Sequence, residues 1–316
     1  MNSLIVIATL LLLAIIGLVL WWLWPAPLAR LFIALERRRC GLRPARATVD
    51  GIDWHYLEGG HGEPLILLHG FNADADHFCR VSSRLAAHFR IIAPDLPGFG
   101  TTRLEQGTSF RLEDLAASVL AWLDHIGIQH FYLGGSSMGG YIACAIARQA
   151  PERVRAMWLL APGGLRDVKL SPVLEAVAED RHNPLIVRDM ADFERLFDYC
   201  FVHPPWVPGP VRRFLCRRVA GGAVQAQRIF DALRFDSQPL EDVIDGLATP
   251  TLVVWGQSDQ VLNAAGARVL AERMSDAESL VLPNVGHLPM LESPDVTAEA
   301  WMGFTEALAR RHQTAS

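Results

Sequence analysis

The chain has 316 residues, 51% of them hydrophobic, and a formal net charge of -5. Such a composition can bury one large core, and mild acidity without basic clusters in the globular part excludes an electrostatic footprint for nucleic acid. Cys40, Cys79, Cys144, Cys200 and Cys216 form no C-x-x-C pair and show no metal spacing, so neither a disulfide framework nor a zinc site is expected. No P-loop, H-E-x-x-H or dinucleotide fingerprint occurs, so no cofactor is expected either.

Residues 4–24 carry no charge. As a helix rising about 1.5 Å per residue, such a run is about 30 Å long, the thickness of a bilayer's hydrocarbon core. It is too long for a signal-peptide core, no Lys or Arg precedes it, and no small-x-small cleavage site closes it. Residues 1–27 are therefore expected to form a single-pass transmembrane anchor. Trp21, Trp22 and Trp24 cluster at its end, where indole rings favour the headgroup level, and Pro25 and Pro27 should break the helix. Over residues 28–46, Leu28, Leu31, Phe32 and Leu35 recur at helical spacing among Arg30, Glu36, Arg37, Arg38 and Arg39. This segment reads as an amphipathic helix on the membrane surface or as an ordinary surface helix of the domain. By the positive-inside rule its arginines place the domain that follows in the cytoplasm.

Residues 47–316 read as one α/β domain. Alternation over 47–57 around Asp50-Gly51 marks a β-hairpin, and apolar strands at 65–68, 91–93, 131–133, 156–160, 252–255 and 279–282 then alternate with helices. The rhythm implies a mostly parallel eight-stranded sheet with helices on both faces. His69-Gly70-Phe71 follows the 65–68 strand. Phe71 is expected to offer one N–H to an oxyanion, with His69 bracing the loop. Asp95, in Pro94-Asp95-Leu96-Pro97-Gly98, should bond loop backbone.

The most specific pattern is Gly135-Ser136-Ser137-Met138-Gly139. A G-x-S-x-G between an apolar strand and a helix is a nucleophile elbow, whose corner is too tight for side chains at the flanking glycines. Ser137 is the expected nucleophile, and Met138, opening the helix, offers the second oxyanion N–H. Over about 163–249 the strand rhythm stops and a helical cap is expected. Its Phe193, Phe197, Tyr199, Phe201, Trp206 and Phe230 either line an apolar tunnel above Ser137 or form the cap's own core. Beyond the cap, Asp259 follows the 252–255 strand and His287 the 279–282 strand, completing the order nucleophile, acid, base. His69 precedes the nucleophile and fits that order poorly as a base. Asp236, Asp242 and Asp245 are the alternative acids.

With these residues in place the chain resembles the α/β-hydrolase superfamily over nearly everything after residue 47. More narrowly, His69-Gly70-Phe71-Asn72, Pro97-Gly98-Phe99-Gly100-Thr101-Thr102, Ser136-Ser137-Met138-Gly139-Gly140 and Asn183-Pro184-Leu185 are similar to the membrane-anchored monoacylglycerol lipases and their bacterial counterparts, including membrane-bound phospholipase A. The resemblance implies a serine esterase releasing fatty acids from phospholipids, lysophospholipids or monoacylglycerols in membrane lipid remodelling. It also implies a bacterial inner-membrane protein with its catalytic domain in the periplasm, against the arginine count, and a homodimer, for which the anchor carries no GxxxG motif. Carbon–carbon bond hydrolases and cofactor-free haloperoxidases share such a triad, and the anchor argues against both. A ligand receptor on a dead scaffold is disfavoured by the intact Ser/Asp/His set.

Overall fold

The computed structural model describes residues 2–23, 25–102, 109–179 and 182–315. Asn2–Leu23 forms α1 and Pro25–Arg39 forms α2. Pro25 opens α2 at a position where its missing N–H has no helical partner to lose. The expected crossing segment over 4–24 requires correction: among the described residues no helix is long and apolar enough to cross a membrane. The described helix stops at Leu23. Trp24, together with the side chains of Leu4, Ala14, Leu18, Leu20, Trp21 and Trp22, lies outside the described residues. Within α1, Ile5, Leu10, Leu13 and Val19 are exposed.

The segment expected to run from 28 to 46 is also divided differently. α2 ends at Arg39, Gly41 turns the chain with φ +73°, and strand β1 begins at Leu42. β1 (Leu42–Val49) pairs antiparallel with β2 (Ile52–Gly60) through Asp50 and Gly51, both at positive φ, as a type I′ hairpin requires.

The remaining strands are β3 (Glu63–Leu68), β4 (Phe89–Pro94), β5 (Phe131–Ser136), β6 (Val154–Leu160), β7 (Thr251–Gly256) and β8 (Ala277–Leu282). Among the described residues they form an eight-stranded sheet in the order β1-β2-β4-β3-β5-β6-β7-β8, parallel from β4 to β8. Its central strands are buried on both faces, with alternate residues supplying two cores. Ile66, Leu68, Met157, Leu159, Val253 and Trp255 face one side; Leu65, Leu67, Trp158, Leu160, Leu252 and Val254 face the other.

Helices α3 (Cys79–Leu85), α4 (Leu112–His125) and α5 (Met138–Gln149) fall between the strands up to β6. After β6 come α6 (Pro172–Ala178), α7 (Met190–Cys200), α8 (Gly209–Gly221), α9 (Ala223–Asp231) and α10 (Leu240–Ile244), the helical insertion expected there. α11 (Gly266–Arg273), α12 (Pro289–Glu292) and α13 (Pro294–Ala315) complete the chain. α4, α5 and α11 cover the first core; α3 and α13 cover the second, where Trp301 stacks on Trp158 at 5.4 Å. α2 packs against α8 of the insertion and against β1.

Candidate active site

Strand order places the site where the winding of the chain reverses. β3 lies between β4 and β5, so the connections leaving β3 and β5 diverge and open a crevice at their carboxyl ends. Leu68 pairs with Gly135, which brings the β3 exit loop beside the elbow. A β-carbon at Gly70 would stand 3.1 Å from Ser137 Cβ.

Ser137 connects β5 to α5 with φ +54° and ψ -117°, a conformation that residues with a side chain rarely adopt. The surroundings hold it there. Its N–H donates to the Leu160 carbonyl at 3.0 Å, and its carbonyl accepts from Gly140 and Gly163 at 3.0 and 2.9 Å. A β-carbon at Gly135 would fall onto the Gly139 carbonyl, and one at Gly139 onto the Leu68 carbonyl. Met138 opens α5, so its N–H has no acceptor within the helix.

His287 and Asp259, both buried, meet across the β7 and β8 exit loops. His287 Nδ1 lies 2.8 Å from Asp259 Oδ2, which also accepts Trp255 Nε1 at 3.0 Å. Asp259 Oδ1 accepts the N–H groups of Val261 and Leu262 at 2.8 and 2.9 Å. An ionised carboxylate only accepts, so Nδ1 carries the proton and Nε2 is left as a base. Ser137 and His287 line one cavity. Asp236, Asp242 and Asp245 belong to the end of the insertion, ahead of β7, and it is Asp259 that bonds His287.

No motif or spacing singles out Glu292, yet it braces the loop that carries His287. Its Oε2 accepts the Gly286 N–H at 2.8 Å, and its Oε1 accepts the N–H groups of Val202 and His203 at 3.1 and 2.6 Å. One carboxylate thus ties the His287 loop to the chain leaving α7, and His287 N–H adds a bond to the Cys200 carbonyl at 2.8 Å.

His69 is a brace. Its Nε2 accepts the Leu96 N–H at 2.8 Å, so the proton sits on Nδ1, which donates to the Gly70 carbonyl at 2.7 Å. Burial lowers its pKa and keeps it neutral. Asp95 bonds loop backbone, accepting from Ala75 at 3.0 Å and from Thr101 at 2.7 Å. Farther along the β3 exit loop, Asp74 pairs with Arg218 of α8, and Asp76 takes Arg37 of α2 in two bonds of 2.6 and 2.8 Å. Burial would raise Asp74, yet Arg218 and His77 carry it down to about 2. Burial and then the Asp74 charge push Asp76 up to about 6. Asn72 Nδ2 donates to the Leu185 carbonyl at 2.7 Å, a further tie between this loop and the insertion.

The cavity has a volume of about 1000 Å³ and is lined by Phe71, Phe193, Phe197, Phe201, Trp206 and Phe230. Its wall also includes Met138 and, at α2, Phe32 and Ile33. Tyr199, expected with these aromatics, is not on the wall. Phe193, Phe197 and Cys200 share one face of α7 at spacings of four and three, and at about 100° per residue Tyr199 lies well off that face.

Residues 63–294 match the sequence pattern of the α/β hydrolase fold family. Lipase 1 of Psychrobacter immobilis is 30% identical over 281 residues, covering 87% of this chain and 88% of that protein. A monoacylglycerol lipase of Mus musculus is 28% identical over 313 residues, covering 92% and 90%. Among solved structures, a membrane phospholipase A described as a bacterial virulence factor superposes with a TM-score of 0.88 at 32% identity, covering 98% of this chain and 99% of that one. The strand order, the elbow and these likenesses agree: the chain belongs to the α/β-hydrolase fold family.

Proposed function

We propose that the protein is a membrane-associated serine hydrolase that releases fatty acids from glycerophospholipids, lysophospholipids or monoacylglycerols. One observation carries the reading: the strained serine and the Asp259-bound histidine open onto a single aromatic-lined cavity that continues to α2. The lipase and phospholipase relatives support a lipid ester as substrate.

In this reading, His287 Nε2 takes the Ser137 proton as Oγ attacks the acyl carbonyl, and Asp259 stabilises the imidazolium that forms. The N–H groups of Phe71 and Met138 hold the tetrahedral oxyanion. The oxyanion collapses, the alcohol leaves with the proton from His287, and water activated by the same base frees the fatty acid. Each acyl methylene buried along the aromatic wall contributes about 0.8 kcal/mol, which favours medium and long chains.

Membrane association rests on α1. The exposed Ile5, Leu10, Leu13 and Val19 seek lipid, and α2 carries the chain from there to the cavity wall. We place the catalytic domain on the periplasmic face, and protease protection in intact spheroplasts tests that placement. The homodimer is tested by sedimentation in detergent.

The decisive experiment measures fatty-acid release by detergent-purified protein and its Ser137→Ala variant from diacyl phospholipids, lysophospholipids and monoacylglycerols. Release that the variant loses supports the reading, and the preferred lipid names the physiological class. No release from any ester would overturn it.

A further inference from the structure

The cavity wall is aromatic along α7 and turns cationic where it meets α2 and α3. Phe32 and Ile33 of α2 line it, as do Arg39 at the end of that helix and Arg80 and Arg84 of α3. Arg80 and Arg84 stand four residues apart, so they share one face of α3. Two of the three guanidinium groups are already paired. Arg84 Nε donates to Asp295 Oδ1 at 2.5 Å, and Arg39 donates to Glu36 Oε1 at 3.2 Å. Asp76, also on the wall, is held by Arg37 in two bonds. Arg80 meets no carboxylate among the described residues, and its side chain donates to the Leu291 carbonyl at 3.3 Å. The mouth at α2 and α3 therefore carries a guanidinium whose charge is uncompensated.

Position adds to charge. Leu291 belongs to α12 and lies four residues past His287, about one helical turn of chain from the proposed base. Arg80, bonded to its carbonyl, stands beside the reacting end of the cavity rather than on a remote surface. On α2, Leu31 and Leu35 are exposed one turn apart, and that helix follows the exposed apolar residues of α1. A lipid leaving a bilayer beside α1 thus reaches the cavity at its cationic end. There the planar guanidinium matches two oxygens of a phosphate through parallel N–H bonds, a recognition that a neutral glycerol hydroxyl does not reproduce.

We propose that Arg80, with the charge of Arg39 beside it, forms a subsite for the phosphodiester of a glycerophospholipid or lysophospholipid. The headgroup seats at the mouth between α2 and α3 while the acyl chain runs along the apolar wall. The identity of the ligand rests on the lipid-ester reading of the cavity. Within that reading, the subsite separates the three candidate lipid classes: phospholipids and lysophospholipids carry the phosphate, and monoacylglycerols do not.

The first test needs no catalysis. Full-length wild type and Arg80→Gln in a nonionic detergent are titrated with two non-hydrolysable lipids, the hexadecyl ether of lysophosphatidylcholine and the hexadecyl ether of glycerol. The expected result is a Kd for the phosphate lipid raised about tenfold in the variant, measured against the glycerol ether as reference. Arg80→Lys, which keeps the charge and loses the fork, should recover part of the loss. In turnover, the ratio of kcat/KM for lysophosphatidylcholine to that for the monoacylglycerol of the same chain should fall by a similar factor. Phosphocholine lipids have no net charge, so general attraction to a basic face does not produce this difference. The proposal is overturned if both ethers weaken alike or if only lysophosphatidylglycerol, with its net negative charge, responds. It is also overturned if Arg234→Gln carries the effect instead, since that cavity-lining arginine stacks on Phe235 at a different stretch of the wall. A wild type that binds the phosphate ether through Arg80 yet cleaves no ester would support the subsite and sink the esterase reading.

Discussion

Asp259 Oδ2 is shared by His287 Nδ1 at 2.8 Å and Trp255 Nε1 at 3.0 Å. The indole fixes which oxygen faces the imidazole, while the Val261 and Leu262 N–H groups hold the other. Asp259→Asn should lower kcat on a soluble ester by about 10⁴, since a side-chain amide allows the wrong histidine tautomer. Trp255→Phe keeps the ring in the core and removes one donor to a charged acceptor, so kcat should fall by about tenfold. Equal losses in the two variants would mean that the indole supports the fold rather than the orientation of the acid.

Glu292 makes a second claim on His287, through backbone. Glu292→Gln keeps the shape but halves the acceptor oxygens facing three N–H donors and removes their charge assistance. Each such bond is worth about 1.5–3 kcal/mol, so the variant should lose about 2 kcal/mol of stability, and kcat should fall more than KM changes. Urea titration and steady-state kinetics measure the two effects. An unchanged kcat would show that the loop holds His287 without this carboxylate.

What the sequence revealed was local or ordered along the chain. The elbow was legible because a corner this tight excludes side chains at Gly135 and Gly139, and Asp259 and His287 because each follows an apolar strand in the required order. The hairpin turn was legible because Asp50-Gly51 suits two positive φ angles. The start of β1 was not: on this edge strand, with Arg43 exposed and Arg46 near it, the pattern runs on from the arginines of α2. Glu292, Arg37 with Asp76, and Arg218 with Asp74 meet only after folding, and no spacing announces such pairs. Tyr199 illustrates another limit. Composition alone groups it with Phe193 and Phe197, and helical phase then separates them.

That phase gives a contrast within one helix. Phe197 lines the cavity, packs 4.7 Å from Phe201 and carries Arg212 over its ring at 4.9 Å, whereas Tyr199 is off the wall. Phe197→Ala should reduce kcat/KM by about tenfold for long-chain esters and little for butyrate, because several methylenes at about 0.8 kcal/mol each lose their neighbour. Tyr199→Ala should leave the chain-length profile unchanged. Matching profiles for the two variants would refute the tunnel.

Below neutrality His77 should add to acid sensitivity, alongside buried His69. Burial pushes it from 6.5 down to about 4, and its Nδ1 has no hydrogen-bond partner. The folded state therefore prefers neutral His77. Its contribution is present above pH 6.5 and is lost as pH falls from 6.5 through 4, by at most about 3 kcal/mol. Asp76 acts in the opposite sense. Burial and Asp74 raise it from 3.8 to about 6, so the folded state prefers its neutral form, and its contribution declines as pH rises through that window. Asp74, lowered to about 2, changes the balance only below about pH 4. His77→Gln should therefore lessen the loss of Tm between pH 6.5 and 4, leaving the loss from buried His69 and the opposing slope from Asp76. Thermal unfolding of both proteins across that range decides the matter, and parallel curves would assign the acid sensitivity to other groups.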